Sequence, residues 1–206
     1  MSQFFQIHQE NPQARLVKQA VDIIEKGGVV AYPTDSAYAL GCLLGDKRAA
    51  DKIRQIRRLT EKHNFTLVCR DLSDISTYAK VDNAQYRQIK AHTPGPYTFI
   101  LDATNEVPRR LMNPKRRQIG IRIPNNLIAL ALLEELGQPI MSTTLILPGE
   151  DVPMTDPYEI RSMLEHTLDL VIDGGFCGFE ATSVIDLSTE QPSIIREGCG
   201  DVSAFR

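Results

Sequence analysis

The sequence predicts an α/β protein: a single domain over residues 1–206, with a twisted mixed sheet, parallel and antiparallel, and flanking helices. Three observations carry that expectation. Strand-like and helix-like stretches alternate through most of the chain, and two strands pair late, which favours a mixed sheet. No internal repeat, low-complexity stretch or linker interrupts the pattern. With 206 residues, 42% of them hydrophobic, one sizeable core is the default.

The elements follow in order. Phe4 to His8 reads as a short strand. Asn11-Pro12 is expected to open a helix, with Asn as N-cap and Pro at the first helical position. Leu16, Ala20, Ile23 and Ile24 recur at helical spacing, and Gly27 or Gly28 closes the helix. Val29 to Tyr32 is a buried strand, ended by Pro33, which has no N–H for the ladder. Ala37 to Leu40 is a second apolar run that stops at Gly41. Asp46 caps a second helix with Ala49, Ile53 and Ile56 as its buried stripe, ending near Leu59-Thr60.

Phe65 to Cys69 reads as a strand, and 71–80 and 83–91 as helices. Thr93-Pro94-Gly95-Pro96 must turn. Tyr97 to Leu101 and Ile119 to Ile123 are strands. Asn125 or Asn126 caps an apolar helix, Leu127 to Leu136, closed by Gly137. Pro139 to Ser142 is a strand and 145–153 a loop. Asp156-Pro157-Tyr158-Glu159 reads as a capping box opening a helix to about His166. Leu168 to Asp173 is a strand, and 181–187 and 192–196 form a strand pair.

The net charge is -3, unevenly distributed. Residues 46–63 hold seven Lys/Arg against three Asp/Glu, and 107–133 hold six Lys/Arg and no acid. Such asymmetry fits a basic face for phosphate or nucleic acid, or two solvated surfaces balanced by nearby acids. The four cysteines, Cys42, Cys69, Cys177 and Cys199, lie far apart with no C-x-x-C, so buried free thiols in a reducing, cytoplasmic setting are expected. Met1 to Glu10 has no signal-peptide pattern, and no apolar run is long enough for a membrane span.

Several chemistries drop out. The chain has no Walker-type G-x-x-x-x-G-K-[ST] and no G-x-S-x-G elbow. His8, His63, His92 and His166 show no ligand spacing and read as surface or capping residues, so no metal site is expected. What stands out is polar residues at the ends of apolar strands: Thr34, Thr98, Arg122, Ser142 to Thr144, Thr182-Ser183 and Arg196. Buried singly they would cost energy; converging, they would receive an anionic ligand such as a nucleotide. The segment Thr34-Asp35-Ser36 is either such a ligand mouth or a polar turn.

Tyr32-Pro33-Thr34-Asp35-Ser36, Arg57-Arg58, Pro94 to Thr98, the Arg122 strand and Ser142-Thr143-Thr144, in that order, resemble the YrdC/YciO family. Glu180 to Asp186 and Ile194 to Arg196 extend the likeness, which is strongest to the YciO branch and spans about 15–198. The resemblance implies a YrdC-like fold whose concave, positive face binds RNA, double-stranded or tRNA, and a nucleotide, ATP or AMP-like. DNA and membrane are not expected partners. In the YrdC branch it implies a synthase joining L-threonine, bicarbonate and ATP into threonylcarbamoyl-AMP for tRNA modification. No cofactor would be tightly bound; Mg²⁺ would accompany ATP.

Carried over by position, Thr34, Thr98, Arg122 and Ser142 would hold threonine. Arg57, Arg58, Thr144, Ser183 and Arg196 would face the nucleotide. Lys47, Arg54, Arg58, Arg109, Arg110, Lys115, Arg116 and Arg117 would meet RNA. Active members carry Lys-x-Arg and Ser-x-Asn where this chain has Arg57-Arg58-Leu59 and Thr144-Leu145-Ile146. Arginine is not equivalent to lysine as a point charge, and Ile146 has no side-chain hydrogen bond to give. Losing two charge-assisted hydrogen bonds would cost about 3–6 kcal/mol, or on the order of 10²–10⁴ in rate. The expectation is therefore an RNA-binding protein with a nucleotide cleft. The alternative is a weak threonylcarbamoyl-AMP synthase, or a hydrolase of that nucleotide.

Overall fold

A computed structural model describes residues 1–113 and 115–206. The strands are β1 (Gln3–Gln6), β2 (Val30–Tyr32), β3 (Ala39–Leu43), β4 (Thr66–Val68), β5 (Ala79–Lys80), β6 (Tyr97–Ala103), β7 (Gln118–Arg122), β8 (Ile140–Thr144), β9 (Leu170–Asp173), β10 (Ser183–Asp186) and β11 (Ser193–Arg196). The helices are α1 (Ala14–Glu25), α2 (Lys47–Arg57), α3 (Leu72–Tyr78), α4 (Asn83–His92), α5 (Leu127–Leu136) and α6 (Pro157–Leu164). All strands join one sheet, ordered β1-β9-β2-β3-β8-β4-β7-β6-β10-β11, with β5 on β6. The sheet is mixed: β1–β9, β2–β9, β4–β7 and β6–β10 run parallel, and the other pairs antiparallel.

Local chemistry explains the boundaries. Asp46 accepts from Ala49 N at 3.0 Å and starts α2, which stops where Arg58 turns left-handed at φ 52°. Asn126 accepts from Ala129 N, and Gly137 at φ 70° ends α5. Asp156 caps α6 through Tyr158 N, with Pro157 in the first turn, and the helix ends at Leu164, short of His166. Asp82 and Gln85 form a reciprocal capping box on α4.

Three expectations need correction. The first helix begins at Ala14, not at Pro12, because Asn11 N bonds His8 Nδ1 in a turn that also ties His8 N to Gln13. Ala79-Lys80 pairs with β6 instead of ending a helix. Gly41 lies inside β3 and does not end it. A Cβ there would sit 2.7 Å from Ile140 Cγ2 and 2.8 Å from Tyr32 Cε1, so glycine marks a close approach.

The two faces of the sheet are covered unequally. On one face α2, α3, α4 and α6 contribute to the larger core, with Leu40, Leu67, Phe99, Ile121, Met141 and Val171 beneath them. On the other, α1 and α5 cover Val30, Tyr32, Ala39, Val68, Ile140, Leu170 and Ile172. Beyond them that second face continues uncapped across β4, β7, β6 and β10. The strand positions that share it turn from apolar to small and polar, and there the site lies.

Candidate functional site

Strand pairing assigns the residues of this open face. Ser142 stands opposite Gly41 and Thr66, Thr66 opposite Gly120, and Gly120 opposite Ile100. Arg122 stands opposite Val68, Thr144 opposite Ala39, and Thr98 and Ile100 opposite Val184 and Asp186. Because side chains alternate between faces, these residues share one side. All of them but Gly41 line a cavity of about 480 Å³, within the range of small-molecule sites.

One wall is the segment after β2. Thr34 Oγ1 accepts from Ser36 N and Ala37 N and donates to Ala37 O at 2.6 Å, so the hydroxyl folds a tight turn. Arg122 is buried beside that turn. Its Nη2 pairs with Asp35, its Nη1 donates to Ser36 Oγ at 3.2 Å, and its Nε has no partner among the described residues. Asp35 also accepts from Asn125 N at 2.9 Å. Thr34 and Arg122 thus converge, joined by Asp35 and Ser36 of the same segment, which the sequence left open as a ligand mouth or a polar turn and which is here a turn at the cavity wall.

The floor carries two pairs of hydroxyls. Ser142 Oγ contacts Tyr32 OH at 2.7 Å and donates to Leu40 O. Burial pushes the Tyr32 phenol up to about 12, so it stays protonated. Thr98 Oγ1 meets Thr182 Oγ1 at 2.9 Å. Arg196 crosses from β11, with Nε on Thr182 O at 2.9 Å and Nη2 on Thr182 Oγ1 at 3.1 Å. Asp186 lines the same floor, its Oδ1 holding Ser188 N and Oγ.

The far wall carries the end of α2. Arg57 donates from Nε to Ile146 O at 3.0 Å and from Nη1 to Thr143 Oγ1 at 2.8 Å. His63 Nε2 lies 3.1 Å from the same Thr143 hydroxyl. Burial first, then Arg57 and Arg54, hold the His63 imidazolium below its usual range. His63 is half-buried at the cavity, not a surface or capping residue; only the fold reveals this. Thr144 lines the cavity, as does Arg116 from the loop before β7.

Other predicted residues lie elsewhere. Ser183 is fully buried outside the cavity, donating to Gly200 O at 2.6 Å and accepting from Gly198 N, so it anchors the C-terminal turn. Arg58 is exposed at the end of α2, outside the cavity lining. Arg54 is drawn inward by Asp51 at 2.9 Å and by the Phe65 ring at 5.0 Å. Lys47, Arg109, Arg110, Lys115 and Arg117 are exposed. Arg110 donates to Gly45 O, just ahead of Lys47, which brings the two basic segments together. Arg117 donates to Asn105.

Among the described residues, no group of three or more His, Cys, Asp or Glu is arranged for a metal ion, and no helix is long and apolar enough to cross a membrane. Cys42 and Cys69 are buried, but Cys177 is half-buried and Cys199 exposed, so the thiols are not uniformly interior. Cys177 lies in the loop after β9 and Cys199 in the segment after β11.

Comparison with known proteins gives the same picture. A family model named for Sua5, YciO and YrdC, described as telomere recombination, matches residues 22–198. A Haemophilus influenzae protein described as uncharacterized is 61% identical over the full length of both chains. The crystal structure of E. coli YciO superposes with a TM-score of 0.96 at 57% identity, covering all of both chains. A Nitrosococcus oceani protein named threonylcarbamoyl-AMP synthase is 30% identical over 77% of this chain and 85% of its own.

Proposed function

This chain belongs to the Sua5/YciO/YrdC family, and we propose that it uses that scaffold to bind RNA on its basic face, with a nucleotide in the cleft. Double-stranded RNA or tRNA fits, because backbone and 2′-OH contacts can read shape without base readout. One observation carries the reading: Arg57 from the first basic segment and Arg116 from the second line the same hollow. Around them Lys47, Arg109, Arg110 and Lys115 stand exposed. A cytoplasmic, reducing setting suits the four free cysteines.

The Arg57 contacts favour binding over fast synthesis. Two of its donors are already committed to Ile146 O and Thr143 Oγ1. They fix the guanidinium in place with three N–H groups left for an anion, where a lysine ammonium could turn freely to follow a reacting triphosphate. ATP would bring its own Mg²⁺, and Asp186, which lines the cavity with Oδ1 holding Ser188, is the carboxylate that would be near enough to help hold it.

A second reading, weak threonylcarbamoyl-AMP synthesis or hydrolysis of that nucleotide, has its own support. The unpartnered buried Nε of Arg122 beside Thr34 and Thr98 suits a small carboxylate such as threonine. A relative named as a synthase favours the same chemistry. Binding of a short duplex RNA, measured for the native chain and Arg57→Gln/Arg116→Gln, tests the first reading. The variant should lose affinity at least tenfold. Equal affinities would refute it. Pyrophosphate release requiring both threonine and bicarbonate would make the second reading the principal one.

A further inference from the structure

We propose that Phe176 and Phe179 form a stacking platform for unpaired bases of an RNA whose phosphates lie on the basic face. This rests on the RNA reading above and goes beyond it, adding single-stranded nucleotides as a second recognised element.

The two rings are 75% and 66% exposed, the most exposed large apolar side chains apart from Met1. They sit on the loop between β9 and β10, and the backbone of that loop is held tightly. Gly175 O accepts from Tyr38 OH at 2.7 Å, and Gly175 N donates to Asp173. Cys177 N donates to Thr155 O at 3.1 Å, and its thiol points to Thr34 O. Gly178 packs so closely that a Cβ would lie 2.6 Å from Ser36 O. Between the rings the Cys177 thiol therefore meets the Thr34–Ser36 wall and the Gly178 backbone lies close against it, while both rings stay exposed. Three residues beyond Phe179, Thr182 lines the cavity floor.

A phenylalanine left this exposed gains little from folding, so two of them on a backbone held against the cavity wall call for an external partner. The exposed parts of two rings amount to about 300 Å², well below the roughly 800 Å² per partner of a stable protein interface. The neighbouring charge is also selective. Around the cavity Arg57, Arg116, Arg122 and Arg196 outnumber Asp35 and Asp186, while Asp173 and Glu180 flank the rings in sequence. A polyanion meets this field favourably, and the flat apolar surface that RNA offers is the base face. Rigid aromatics stack on unpaired bases with little ordering cost.

The experiment compares a blunt duplex RNA with the same duplex carrying a single-stranded 3′ overhang. The native chain should bind the overhang form about tenfold more tightly. Phe176→Ala/Phe179→Ala should abolish that gain while leaving the blunt-duplex affinity and its salt dependence unchanged. Tyr at both positions should keep the gain and Leu should lose it. The platform is refuted if the native chain gains nothing from the overhang, if the Ala variant keeps the gain, or if Leu serves as well as Tyr. If the blunt duplex itself does not bind, the underlying RNA reading falls, and the platform with it.

Discussion

Replacing Arg122 with leucine should destabilise the protein strongly. The Arg122 and Asp35 side chains are 8% and 11% exposed, so their ion pair is buried. Removing one member leaves an uncompensated buried charge, which costs about 3–5 kcal/mol. Asp35 keeps its bond from Asn125 N, so the low end applies, about 3 kcal/mol. For a chain of 206 residues that is a fall in Tm of about 6–12 °C. Arg122→Lys should lie between, since an ammonium keeps the charge but loses the fork that reaches Asp35 and Ser36 together. The assay is thermal unfolding of Arg122→Leu, Asp35→Asn and the double variant. The double should recover part of the loss, because the two side chains form one unit. A Tm for Arg122→Leu within about 2 °C of the native value, or strict additivity in the double, would refute the reasoning.

Further outcomes follow from the same geometry. AMP or ATP at a hundred times its Kd should stabilise the fold by about 2.7 kcal/mol, raising Tm by about 5–11 °C; a nucleotide cleft is contradicted if neither shifts it. His63 has a depressed folded-state pKa, so its contribution is present above about 6.5 and fades as pH falls through the folded value. The urea midpoint should therefore drop between pH 7 and pH 5.5 more in the native chain than in His63→Gln. A thiol reagent should label Cys199 at once and Cys177 slowly, while Cys42, its thiol pushed up to about 12 by burial, and Cys69 react only after unfolding. Asp46→Ala should cost about 1 kcal/mol by removing the α2 cap, read as a lower Tm.

Local chemistry made much of the fold legible. Asp46, Asn126 and Asp156 announce helices by residue type alone, and each caps its helix, though Asp156 does so through Tyr158 N and not in the expected capping box with Glu159. The polar ends of the strands were visible as well, since Thr34, Thr98, Arg122, Ser142, Thr144 and Arg196 interrupt apolar runs and line one hollow. What escaped depends on pairing. Ser183 neighbours Thr182 in sequence, yet a strand alternates, so Thr182 faces the cavity and Ser183 the interior. Gly41 looks like a stop, but its role is to admit the Tyr32 ring from a neighbouring strand. His63 and Thr143 meet only because α2 ends over β8, a tertiary fact with no local pattern. Arg54 reads as a surface cation until the Phe65 ring is placed under it.

The most direct test of an anion-receiving hollow fed by two basic segments is the salt dependence of duplex RNA binding. With four to five phosphates met by cations, the slope of log Kobs against log salt should be about −4, and Arg57→Gln/Arg116→Gln should make it shallower by about 2. A slope near zero, or one that the two substitutions leave unchanged, would contradict the account.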